Sequence, residues 1–218
     1  MAVPPITFED NDLLEFDATT TPVGVNSIGT SMAAAMYGVY GMYAEIIDQN
    51  AVFGTVNDDN LTRMCIGFYF DPNSVAMAIG NKFVICGGGT LDSDYKLEIR
   101  WDGVDYKLNI DLNTDGGWVE SPQVTLTDAV HWLEMDLAIA SAPAANDGFA
   151  KLWIDVVDAT PDSELANVNN DTLDLDRIGI GVNELDIGTK GTIYFDQLTW
   201  NYNGDPIGPP WEGYAWIF

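Results

Sequence analysis

The chain has 218 residues, with 34 Asp and Glu against 8 Lys and Arg and a formal net charge of −26. Its 47% hydrophobic content can build a core, which excludes an intrinsically disordered acidic tail. A surface this negative repels phosphate backbones and anionic lipid, so neither nucleic-acid binding nor membrane insertion is expected. It suits solubility at high concentration, divalent cations, high salt or a basic partner, and it is also what a plain solvated acidic surface looks like.

Residues 1–10 contain neither a basic stretch nor a long apolar run, so no signal peptide is visible. Short alternating runs follow, separated by Gly, Asn, Asp and Pro. They predict strands over residues 43–48, 64–70, 82–86, 95–101, 106–112, 124–126, 131–139, 149–156, 177–182 and 192–200. Within 95–101 the apolar side is Tyr95, Leu97, Ile99 and Trp101, and Lys96, Glu98 and Arg100 take the other side. The next strand repeats the alternation, and Asp102-Gly-Val-Asp105 between them reads as a hairpin loop. Helix signals are thin: 31–37 supports a turn or two, and Ala-rich 138–145 holds Pro143 and reads as a loop. Ten to twelve strands at this spacing predict an all-β fold, an antiparallel two-sheet sandwich in one domain over residues 1–203. Residues 204–218 differ. A Pro/Gly-rich stretch leads into a short extended C-terminal tail carrying Trp211, Tyr214, Trp216 and Phe218. That tail either folds back on its own domain or serves assembly by docking on a neighbour.

Cys65 and Cys86 lie in apolar runs and are either buried free thiols or a pair on neighbouring strands. With one histidine and no CxxC there is no Cys/His zinc set. His131 opens a strand beside Trp132, which suits a structural imidazole; no Gly-x-Ser-x-Gly elbow accompanies it. Asp111-Leu-Asn-Thr-Asp115-Gly116 begins like a calcium loop, but Pro122 stands at its twelfth position and a hairpin turn is the better reading. Trp118, after the Asp115-Gly-Gly117 turn, and with it Trp132 and Tyr106, are the aromatic candidates for stacking on a sugar ring.

Residues 128–136 (Asp-Ala-Val-His-Trp-Leu-Glu-Met-Asp), 146–155 (Asn-Asp-Gly-Phe-Ala-Lys-Leu-Trp-Ile-Asp) and 188–196 (Gly-Thr-Lys-Gly-Thr-Ile-Tyr-Phe-Asp) resemble the concanavalin A-like, laminin-G-like jelly-roll superfamily. The resemblance runs from about Ile6 to Tyr202 and implies a jelly-roll β-sandwich. It leaves function open among lectins, glucanases, adhesion modules and virion proteins. In 131–139 strand alternation puts Leu133, Met135, Leu137 and Ile139 on one side and Trp132, Glu134 and Asp136 on the other, more polar side, toward a concave groove or solvent. Glucanases of this superfamily carry Glu-x-Asp-x-x-Glu on one strand. Here Glu134 and Asp136 are followed by Ile139, so the third carboxylate is missing and no enzyme is expected. The two-metal site of its lectins lacks its later ligands, because Ala138, Ala140 and Ala145 occupy those places. Related modules staple an N-terminal Phe-Glu to a C-terminal Phe-Asp with calcium, and Phe8-Glu9-Asp10 and Phe195-Asp196 offer Glu9, Asp10 and Asp196 for it; no cofactor is required otherwise.

The resulting expectation is a non-enzymatic structural module on a particle surface, a viral decoration or tail-associated virion protein. Its partners would be other copies or other surface proteins. The alternative is a secreted or cell-surface carbohydrate-binding module with glycan partners.

Overall fold

A computed structural model describes residues 5–20, 24–88 and 94–210. The strands are β1 (Ala18–Thr19), β2 (Ser27–Ser31), β3 (Gly41–Ile46), β4 (Val52–Asn57), β5 (Arg63–Asp71), β6 (Lys82–Gly87), β7 (Tyr95–Trp101) and β8 (Tyr106–Thr114). They continue with β9 (Gly117–Glu120), β10 (Val124–Leu126), β11 (His131–Ala138), β12 (Gly148–Ile154), β13 (Ser163–Val168), β14 (Arg177–Asn183) and β15 (Gly191–Asn201). The order β1-β4-β14-β6-β7-β8-β10, with β9 added on β8, makes an eight-stranded sheet. The order β13-β12-β11-β5-β15-β3-β2 makes a seven-stranded one, and every strand pair is antiparallel. The antiparallel two-sheet sandwich expected from the alternation is therefore what forms.

Alternation explains the core. Tyr95, Leu97 and Ile99 on β7 and Leu108, Ile110 and Leu112 on β8 are buried from one sheet. Leu133, Met135 and Leu137 on β11 and Phe68, Phe70 and Phe195 are buried from the other. Phe70 and Phe195 meet at 5.3 Å between ring centroids, tilted by 48°, a favourable aromatic geometry.

All ten anticipated strands are present, each displaced by at most a few residues. Five more appear: β1, β2, β4, β9 and β13. Three of these, β1, β2 and β13, are sheet edges, where one face and one ladder go unpaired and little alternation is demanded. In β4 the pattern is interrupted by Gly54, which makes room for a neighbour: a Cβ there would lie 2.5 Å from the Phe16 ring. The 31–37 stretch forms only a short 3-10 turn, Met32–Ala34, capped by the Ser31 hydroxyl.

Cys65 and Cys86 are both free and buried. They sit on β5 and β6, in different sheets, which decides between the two readings. The Asp102–Asp105 hairpin forms as expected, with the Asp102 carboxylate accepting from the amides of Val104 and Asp105.

The outer face of the seven-stranded sheet corrects an expectation. Trp132, Glu134 and Asp136 line neither an open groove nor solvent, because segment 204–210 lies over them. Glu134 is 0% exposed and accepts four donors: Cys65 Sγ, Trp132 Nε1, and the amides of Ile207 (2.9 Å) and Gly208 (2.7 Å). Asp136 takes Arg63 in a two-bond clamp, and the same guanidinium reaches the Gly204 carbonyl. As far as Pro210, then, the C-terminal segment folds back on its own sheet. Trp211, Tyr214, Trp216 and Phe218 lie outside the described residues.

Candidate functional site on the eight-stranded sheet

The opposite outer face is built differently. Every second residue of β6, β7, β8, β9 and β14 faces outward, and antiparallel register aligns them in rows. One row is Lys82–Arg100–Lys107 and the next is Val84–Glu98–Asn109. The third runs Gly87–Lys96–Asp111–Glu120, and Asn113 stands opposite Trp118 beyond it. Arg177 projects on the same side at the start of β14, opposite Asn57. Lys82, Lys96, Arg100, Lys107 and Arg177 are five of the chain's eight cations, gathered on one face of a protein of net charge −26.

The middle of this face is buried although it is polar. Glu98 is 1% exposed and pairs with Lys82 at 2.5 Å and Arg100 at 3.1 Å. Lys96 binds Glu184 at 2.7 Å and lies 4.3 Å above the Trp118 ring, a cation–π contact. Asn109 is 0% exposed and donates to Asp111, yet among the described residues its Oδ1 has no donor, and the buried Arg100 Nε has no acceptor. Buried polar atoms left unmatched are costly and mark this face as one that a polar ligand would relieve. Burial, then the charges of Glu98 and Glu120, push the Asp111 carboxyl up to about 6, with Lys82 and Lys96 opposing. That value suits a group that takes up and releases protons near neutrality.

The other anticipated residues scatter. Trp118 sits on β9, 44% exposed, and is the one sugar candidate on this face. Trp132 and Tyr106 are 2% and 4% exposed, so neither offers a ring face to a ligand, and both are removed from the sugar platform. Each instead satisfies its polar tip internally, Trp132 on Glu134 and Tyr106 on the Val75 carbonyl. The suspected calcium loop 111–116 is strand followed by the β8–β9 turn. Glu9 and Asp196 do converge on one loop. Asp196 accepts from the amides of Met36 and Tyr37, both at 2.8 Å, and Glu9 accepts from Val39 and Tyr40. Burial, reinforced by the charge of Glu9, pushes Asp196 up to about 6 against three backbone hydrogen bonds. Asp10 is exposed and stands apart from these contacts, and among the described residues no three His, Cys, Asp or Glu side chains gather as metal ligands. The anticipated calcium set is thus two carboxylates, with any further ligand left to backbone or water. His131 bridges Thr127 Oγ1 (2.8 Å) and Asp155 (2.9 Å), and Asp155 also holds the Trp132 amide.

No protein-family model and no curated protein sequence matches the chain. Solved structures do. An endo-β-1,4-glucuronan lyase from the fungus Trichoderma reesei superposes with a TM-score of 0.64 at 13% identity, over 91% of this chain and 98% of that one. The cellulose-induced protein Cip1 gives 0.63 at 14% identity, over 95% and 100%. The binding domain of botulinum neurotoxin serotype D gives 0.53 at 11%, over 83% and 44%. At these identities the likeness establishes the fold, a jelly-roll β-sandwich of the concanavalin A-like kind.

It also corrects the expectation of a non-enzyme. That expectation rested on a missing third carboxylate and a missing serine elbow, which belong to hydrolysis through a covalent intermediate. A lyase with the same sandwich, matched almost end to end, shows that catalysis on this fold does not depend on either. No comparison supports a particle-surface role.

Proposed function

We propose that the chain recognises a uronate-bearing polysaccharide along the outer face of its eight-stranded sheet and cleaves it by elimination. The observation that carries this reading is the gathering of five of the eight cations on one face. Lys82 and Arg100 pair there with Glu98, Lys96 with Glu184 and Lys107 with Asp102, so that a substrate carboxylate would exchange with these internal acids. A polyanion is steered away from most of this surface and toward that face. The row Lys82–Arg100–Lys107 would hold a carboxylate, Asn109 and Arg100 would take a hydroxyl once the side chains over them move aside, and Trp118 would lie against an apolar sugar face. The similarity to a glucuronan lyase supports both the substrate class and the reaction type.

Elimination needs no nucleophile. A base removes the proton α to the uronate carboxylate, and its electron pair forms the C4–C5 double bond. The C4–O bond breaks, and the leaving oxygen takes a proton. Asp111, held near 6, is the base assigned here, and the cation row would stabilise the charge that develops on the carboxylate.

The test is incubation of the full chain with polyglucuronate and with a neutral β-1,4-glucan. Ultraviolet absorbance follows the unsaturated product, and affinity electrophoresis follows binding. Retention by the acidic polymer alone, with rising absorbance that Asp111→Asn abolishes, is the expected result. Retention without product would remove the lyase assignment, and indifference to both polymers would remove the whole reading.

A further inference from the structure

A second feature lies apart from that outer face. A cavity of about 440 Å³ opens between loop 72–77, the β7–β8 hairpin and residues 126–128. Its accessible apolar wall is Trp101, Met77 and Val104, with the buried Tyr106 and Leu126 behind them. Trp101 is half-buried and meets Tyr106 at 4.9 Å in a tilted pair. The polar lining is Asp105, Asp128, Ser74 and Thr127, and Lys107 stands 3.7 Å from Asp105 at its edge.

The cavity is held open by specific bonds. Asp128 takes both the Ser74 amide (2.7 Å) and the Ser74 hydroxyl (2.6 Å), which fixes loop 72–77 at a left-handed Ser74, φ 55°. The Tyr106 hydroxyl donates to the Val75 carbonyl at 2.8 Å. Burial, then the charges of Asp128 and Asp71, push that phenol up to about 12, so it remains a donor. Thr127 is held from behind. With the His131 Nδ1 proton on Asp155, Nε2 accepts the Thr127 hydroxyl proton, which leaves the Thr127 oxygen lone pairs for a ligand donor.

We infer that this cavity is a binding site for a neutral sugar residue, distinct from the polyanion groove. The volume falls in the range of small-ligand sites, which combine an apolar wall with a few placed polar groups. The half-buried Trp101 indole is the ring that would take the C–H face of a pyranose. Two carboxylates and a hydroxyl oxygen accept hydroxyl protons. The one cation beside these carboxylates, Lys107, lies 3.7 Å from Asp105 and is shared with Asp102 at 3.2 Å, so acids outnumber it here and a uronate is disfavoured against a neutral sugar. The inference does not depend on the lyase reading, since its residues and ligand differ.

The experiment is titration of the full chain with neutral mono- and disaccharides and with glucuronate, read by two-dimensional amide NMR. A neutral sugar should saturate the amides of Ser74, Val75 and Val104 at millimolar concentration, and glucuronate should leave them unmoved. Met77→Trp, which fills the cavity, should abolish the shifts. Asp105→Asn should weaken binding at least threefold without lowering the melting temperature, which separates lost contact from lost fold. Absence of saturation at tens of millimolar, saturation by glucuronate, preference for an alkylamine, or full binding by both variants would each overturn the inference.

Discussion

Asp111→Asn is the most informative single change. The wild-type carboxyl lies on the buried polar row with Lys96 and Glu120, and its folded-state pKa of about 6 compares with 3.8 when unperturbed. A rise of about two units corresponds to roughly 3 kcal/mol at neutral pH, at 1.36 kcal/mol per unit. The direction follows from linkage. A raised folded pKa means that the fold prefers the protonated acid. The associated stability is complete below about pH 4, and it is lost as pH rises through about 6. Asparagine is neutral throughout and can still accept from Asn109, whose amide donates to this side chain in the wild type. The variant should therefore be more stable than wild type by about 1–3 kcal/mol at pH 7.5, the lower figure allowing for Lys82 and Lys96. The difference should vanish near pH 3.5. Urea unfolding at both pH values measures it, with the m-value checking that the two transitions are comparable. Under the proposed mechanism the same variant loses turnover, the usual trade of a strained functional group against stability. A variant less stable than wild type at pH 7.5, or a gain that persists unchanged at pH 3.5, would refute the argument.

Arg100→Ala should weaken retention by polyglucuronate at least tenfold, and wild-type retention should fall steeply with added salt, as affinity electrophoresis at two ionic strengths will show. Trp118→Ala should weaken the same binding while leaving thermal stability within about 0.5 kcal/mol, because the ring is 44% exposed and on a short outer strand. Glu134→Gln sets an amide N–H₂ against backbone and indole donors, so it should cost about 2–3 kcal/mol and speed proteolysis within 204–210. Gly67→Ala places a methyl 2.3 Å from the Trp132 ring and should cost roughly 1–3 kcal/mol in thermal unfolding.

Some of this was readable residue by residue. Lys96, Glu98 and Arg100 alternate with Leu97 and Ile99, so a charged outer face on β7 follows from the pleat alone. Trp118 was singled out because it follows a Gly-Gly turn, and it is exposed. The rest of the face was not readable. Arg100 and Lys107 face each other across the anticipated hairpin, but Lys82 joins their row only through the register of a third strand. Asn109 looks like any polar strand residue until its burial and its unmatched oxygen are seen. Trp132 and Tyr106 misled for a related reason. An aromatic residue on an alternating strand has the same pattern whether its outer side meets solvent, a covering segment or a packed loop.

Local chemistry by itself determined the all-β class, because alternation of apolar and polar residues between turn formers makes strands with one face to bury against another sheet. It also determined that the surface is acidic. Which outer face stays open was decided only in three dimensions. Segment 204–210 places two backbone amides on Glu134 and closes the seven-stranded side, while strand register gathers the scarce cations on the other. Apart from the Arg100–Lys107 hairpin pair, these are contacts between residues distant in sequence, and a period-two pattern carries no record of its partner.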